Sequence, residues 1–216
     1  MFNKQDPHIQ QGTVGEQIAN SISHGIGTLL SIAGLVILIV WAVGYGNAWH
    51  IVSFSIFGST LIMLYLASTL YHSLPMPRVK HVFRIIDHSA IFLLIAGTYT
   101  PFMLVNLRGP WGWIIFGIIW GLAIIGILSK IFYLSKFQKS SVVLYVLMGW
   151  LCIIAGKELV THVPHLSLTL LIFGGVAYMI GLIFYGWRKL PYHHAVWHIF
   201  VLSGSILHYF SVLYTL

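Results

Sequence analysis

His194 and His198 stand four residues apart in an apolar stretch near the C-terminus. On a helix, that spacing puts both imidazoles on one face, where they can share a single metal ion. Ser68 and His72 repeat the same step in an earlier apolar stretch, and Asp87 opens a third. An imidazole from His72 would complete a three-His set with an open fourth position, the arrangement of catalytic rather than structural zinc. Ligand type alone leaves copper, iron and nickel open beside zinc. Asp87 could take a proton from a metal-bound water as general base, and Ser68 could orient that water.

The elements that must position these residues follow from composition. The chain has 216 residues, of which 11 are Lys or Arg and 4 are Asp or Glu. Charged residues make up 7%, against about 25% in an ordinary soluble domain. Hydrophobic residues make up 58%, and the mean hydropathy is +0.91. A soluble fold of this size could not hide so much apolar surface, and disorder is excluded by the same numbers. The chain reads as an all-α integral membrane protein.

Seven stretches are long and apolar enough to span a bilayer: about 22–44, 50–71, 86–106, 111–131, 141–160, 166–187 and 193–214. Connections are short and there is no convincing internal repeat. Residues 1–216 therefore form one seven-helix domain with a short polar tail, 1–21. The tail lacks the apolar core of a cleaved signal peptide, so the first span is expected to serve as the insertion signal. The single Cys, Cys152, excludes an intrachain disulfide and a Cys-rich zinc site. The excess of base does not point to nucleic acid, because basic residues gather beside membrane spans for topological reasons.

Lys and Arg also set the orientation. With a cytoplasmic N-terminus, one side collects Lys4, Arg78, Lys80, Arg84, Lys130, Lys136, Lys139, Arg188 and Lys189. The other keeps Arg108 and Lys157. This positive-inside bias gives an N-terminus inside and a C-terminus outside. Ser68, His72, Asp87, His194 and His198 then fall at one cytoplasmic end of the bundle. Glu16, Asn20, Ser23 and His24 lead into the first span on the same side, where they could support the site from behind. A carboxylate within a span costs at least ~2.5–3.5 kcal/mol by insertion scales, so Asp87 must pair, coordinate or hydrogen-bond. His88 and His193 point about 100° away from their neighbours on a helix. His8, His81, His162 and His165 lie in the tail or loops. Arg78, Lys80 and Arg84 read as topology signals and lipid-headgroup contacts.

The run E-x3-N-x2-S-H-x2-G at Glu16–Gly27, the Ser68–His72 step, DHSAIFLLIAGTYTP from Asp87 and the His194–His198 pair resemble the hemolysin III proteins. These are the bacterial branch of the progestin and adipoQ receptor group, and the resemblance covers essentially the whole chain. It implies a seven-helix bundle in the bacterial plasma membrane with one zinc ion held by His72, His194 and His198. It also implies that Asp87 and Ser68 hold a zinc-bound water. The wider group includes ceramidases that hydrolyse a lipid amide, and bacterial members are tied to membrane fluidity and lipid composition.

Two functions from different classes are consistent with these residues. One is a zinc-dependent hydrolase of a lipid amide or ester, with membrane lipids as partners and substrate. The other is a metal-stabilised regulator of membrane state that turns nothing over. A cytolytic pore ranks below both, because the spans offer no obvious aqueous path. A proton-coupled transporter would need more than one acid across the bilayer.

Overall fold

The computed structural model describes residues 12–134 and 137–216; Lys4, His8 and Lys136 lie outside them. All regular structure among the described residues is helical. Helices α1 (Val14–Tyr45), α2 (Ala48–Ser73), α3 (Pro77–Pro101) and α4 (Pro110–Tyr133) are followed by α5 (Gln138–Trp150), α6 (Gly156–His162), α7 (His165–Gly186) and α8 (His193–Leu213). A π-turn, Phe102–Asn106, prolongs α3, and α5 and α6 are joined through a 3-10 turn, Leu151–Ala155, into one crossing. Seven of these segments are long and apolar enough to cross a membrane.

Two spans begin well before the apolar stretches that announce them. α1 starts at Val14 because Thr13 and Glu16 form a capping box: the Thr13 hydroxyl accepts from Glu16 N at 3.3 Å, and Glu16 Oε2 accepts from Thr13 N at 2.7 Å. α3 starts at Pro77, whose missing N–H is harmless in a first helical turn. The extra turns are polar, so hydropathy does not find them, yet they carry Gln17, Asn20 and Arg84.

α1 shows how the bundle is ordered. Its buried residues recur at three- and four-residue steps and are mostly polar or small: Asn20, His24, Gly27, Ser31, Gly34, Leu38 and Ala42. Its outward residues, such as Leu29, Val36 and Val40, are apolar and exposed, as a lipid-facing surface requires. α1 packs against α2 and α8, α2 against α3, α3 against α4, and α7 against α8. Gly27 is required where α1 meets α2: a Cβ there would lie 2.6 Å from Cδ1 of Tyr65. Its absence lets Tyr65 pack edge-on to His24, with ring centroids 5.0 Å apart.

Between α3, α5, α7 and α8 lies a cavity of about 270 Å³. Its walls are mostly apolar, and Asp87, Lys130, Tyr145, Tyr185 and His194 are among its lining residues. The break in the fifth crossing faces it. Tyr99 pushes its phenol oxygen into the backbone ladder, donating to the carbonyls of Met148 and Gly149 at 2.8 and 3.1 Å and accepting from Cys152 N at 2.8 Å. Such an inserted side chain is a known cause of helix interruption.

Candidate metal centre

α2 brings His72, and α8 brings His194 and His198, to the end of the bundle where α1 begins. One ring nitrogen of each lies within 4.8 Å of the others. The ring centroids of His194 and His198 are 4.6 Å apart, and His72 is 5.2 Å from each. The four-residue step in α8 supplies the pair, as on any helix face; α2 supplies the third from its last turn. His72 and His198 are buried and His194 is partly so.

Hydrogen bonds from α1 decide which nitrogens face one another. Gln17 Oε1 accepts from His72 Nδ1 at 2.9 Å, with the Asn20 amide nitrogen 3.5 Å from the same atom. The Asn20 carbonyl accepts from His198 Nδ1 at 3.2 Å. Ser23 Oγ lies 3.1 Å from that nitrogen and itself donates to the Asn20 carbonyl at 2.9 Å. With Nδ1 of both rings donating, each Nε2 carries its lone pair. Nε2 of His72 and of His198 are buried and have no hydrogen-bond partner among the described residues. Buried polar atoms are nearly always satisfied, and a ligating His holds its other nitrogen on a carbonyl or carboxylate in this way. The donor set therefore fits one small metal ion of the kind imidazole binds.

The sequence does not single out Gln17, because it falls in the polar segment before the first apolar stretch. A signal for it exists: Gln17, Asn20 and His24 continue one helical stripe at three- and four-residue steps. Lys80 Nζ donates to the same Gln17 oxygen at 3.4 Å and lies over the Tyr71 ring at 5.4 Å. Gln17→Leu is expected to weaken ion binding about 10–100-fold, the usual effect of losing such a support. Competition with a chromophoric chelator measures it, and unchanged affinity would assign the orientation of His72 to its packing alone.

The other sequence candidates fall in different places. His24 is 1% exposed and stacks on His198 with centroids 3.5 Å apart and planes 10° from parallel. Both its ring nitrogens lack partners among the described residues, and it lines the cavity. Asp87 also lines the cavity and lies within electrostatic reach of His72, His24 and His194. Its Oδ2 is 3.3 Å from Nδ1 of His88, so His88 meets the acid despite the helix angle between them. Ser68 is buried one turn before His72, and among the described residues its hydroxyl makes no hydrogen bond. Glu16 stands away from the rings: its oxygens take Thr13 N and, at 3.1 Å, Tyr192 N. It thereby ties the start of α1 to the residue before α8. Tyr192 has a positive φ of 57°, a backbone conformation uncommon outside glycine.

Arg84 and Lys130 depart from expectation. Position along the chain makes both flanking charges, yet both are buried, at 3% and 1% exposure.

The model of the family described as "Haemolysin-III related" matches residues 13–209. A protein of Bacillus cereus named "Hemolysin-3" is 52% identical over 93% of this chain and 92% of its own length. A "Hemolysin-3 homolog" of Bacillus subtilis is 52% identical over 94% and 95%. The human "Monocyte to macrophage differentiation factor" is 26% identical over 93% of this chain and 84% of its own. With the seven spans and the three clustered imidazoles, these matches place the chain in the haemolysin-III-related family of membrane proteins.

Proposed function

We propose that the protein is a zinc-dependent hydrolase of an amide or ester bond in a membrane lipid, acting in membrane lipid homeostasis. One observation carries this reading: three imidazoles converge beside a mostly apolar cavity whose wall includes one of them, His194, together with the carboxylate of Asp87. The cavity, with its mostly apolar walls, suits an acyl chain. His72, His194 and His198 hold the ion, with Gln17, Asn20 and Ser23 fixing the ring orientations. Zinc, when bound, polarises a carbonyl and lowers the pKa of water to about 7. Asp87 removes the proton from the attacking water and returns it to the leaving group. His88 steadies that carboxylate, and Ser68, one turn from His72, orients the water. The excess of Lys and Arg on the N-terminal side supports a plasma-membrane protein with this site on the cytoplasmic face.

The test is turnover in proteoliposomes containing an N-acyl sphingoid lipid or a diacyl phospholipid, with fatty acid release read by mass spectrometry. Protein reloaded with zinc is expected to release fatty acid from one of them, and chelated protein is not. Loaded protein that releases no more than empty liposomes from either lipid overturns the reading.

A metal-held regulator without turnover is favoured by a different observation. The three ligands come from helices far apart in sequence, α2 and α8. An ion would therefore clamp the first half of the chain to the last helix. In that case ion removal lowers stability while every lipid survives intact.

A further inference from the structure

Lys130 sits in the last turn of α4 and is among the largest fully buried side chains of the protein. It lines the same cavity as Asp87 and His194. Among the described residues it makes no hydrogen bond and no ion pair. The three side-chain carboxylates among the described residues are engaged elsewhere: Asp87 meets His88, Glu158 meets His162, and Glu16 meets Thr13 and Tyr192. Arg84, buried on α3, is near enough for its charge to act on Lys130. Tyr185, on the cavity wall, feels both Arg84 and Asp87. Lys130 and Asp87 therefore share this cavity, with Arg84 near enough to act on its lining residues.

An ammonium group enclosed in a membrane span is costly. Proximity to the C-terminal dipole of α4 offsets only part of this. An anion held between Lys130 and the cavity space would offset far more. The remaining walls of the cavity are mostly apolar, so the anion that fits carries a hydrocarbon tail.

We propose that Lys130, with Arg84 behind it, forms an oxyanion-binding subsite of the cavity, taking the carboxylate or phosphate of an amphiphile whose acyl chain lies along the apolar walls. The proposal rests on the cavity being a lipid site and does not require turnover. It names the polar end of the lipid: an anionic one.

Equilibrium binding to purified protein in neutral detergent tests this. The probes are oleate, oleoyl lysophosphatidate and oleyl alcohol, each measured on metal-stripped protein so that binding to the ion itself does not count. At least one anionic probe is expected to bind wild type about tenfold or more tightly than the alcohol, as befits a buried charge pair. Lys130→Gln and Lys130→Met are expected to lose that preference and Lys130→Arg to keep it, while unchanged alcohol binding shows that the cavity persists. Equal affinity of wild type for anionic and neutral probes overturns the proposal without recourse to any variant. So does an anion preference that survives in Lys130→Gln, or one that appears only after zinc is added back. Acetate or inorganic phosphate competing as well as the amphiphiles would also overturn it, because the tail would then contribute nothing. Failure of lipid hydrolysis leaves these binding results standing, and failure of binding leaves hydrolysis to be judged separately.

Discussion

The His194→Ala protein should purify with its ion content at background, and His72→Ala and His198→Ala should behave alike. His193→Ala, one residue away, should keep the wild-type content. The difference follows from where the rings point. His194 presents a nitrogen within 4.8 Å of those of His72 and His198, whereas His193 Nδ1 bonds the Phe184 carbonyl at 3.2 Å on α7. An ion bound at about a hundredfold excess over its Kd stabilises the folded state by ~2.7 kcal/mol. For a chain of this length that corresponds to roughly 5–10 °C in Tm. The His194→Ala protein should therefore melt lower by about that margin, and adding zinc should not restore it. Metal analysis beside a thermal melt measures both. Wild-type ion content in His194→Ala would sink the three-His centre.

Part of this was legible in the sequence, and the boundary is instructive. The seven spans are read from apolar length, because the bilayer core imposes about 20 residues on each. The ligand pair in α8 is read from a four-residue step, because a helix turns every 3.6 residues. What escapes is whatever depends on the direction of a side chain near a helix end. Gln17 and Glu16 are adjacent polar residues in the same first turns, yet one holds His72 and the other closes the helix cap onto Tyr192. Nothing in residue type separates them; the rotation of α1 against α2 and α8 does. Arg84 and Lys130 mislead for a related reason. Positive-inside counting uses position along the chain, and a basic residue close to a span end scores the same whether it faces headgroups or turns into the bundle. His88 shows the limit of angular reasoning: adjacent residues diverge on a helical wheel, but their side chains are long enough to meet.

Asp87→Asn separates chemistry from assembly. The amide has nearly the same volume, and Asp87 is not one of the three clustered ligands, so ion content should match wild type. Removing an acid from within a span also relieves a solvation cost, so Tm should hold or rise. Turnover should nonetheless fall by about 10²–10⁴, the usual contribution of a positioned general base. The loss should appear in kcat, with KM little changed, because the acyl chain is held by the apolar residues of the cavity wall, which the substitution leaves alone. Ser68→Ala should show a smaller loss of the same kind. Fatty acid release from proteoliposomes, measured with zinc analysis on the same preparations, decides the matter. Undiminished turnover by ion-loaded Asp87→Asn would remove Asp87 as the base. The contact between Asp87 and His88 would then be a structural neutralisation of a buried acid, and the proton would have to leave through another cavity group. His24, with both ring nitrogens unpartnered among the described residues, stands next in line.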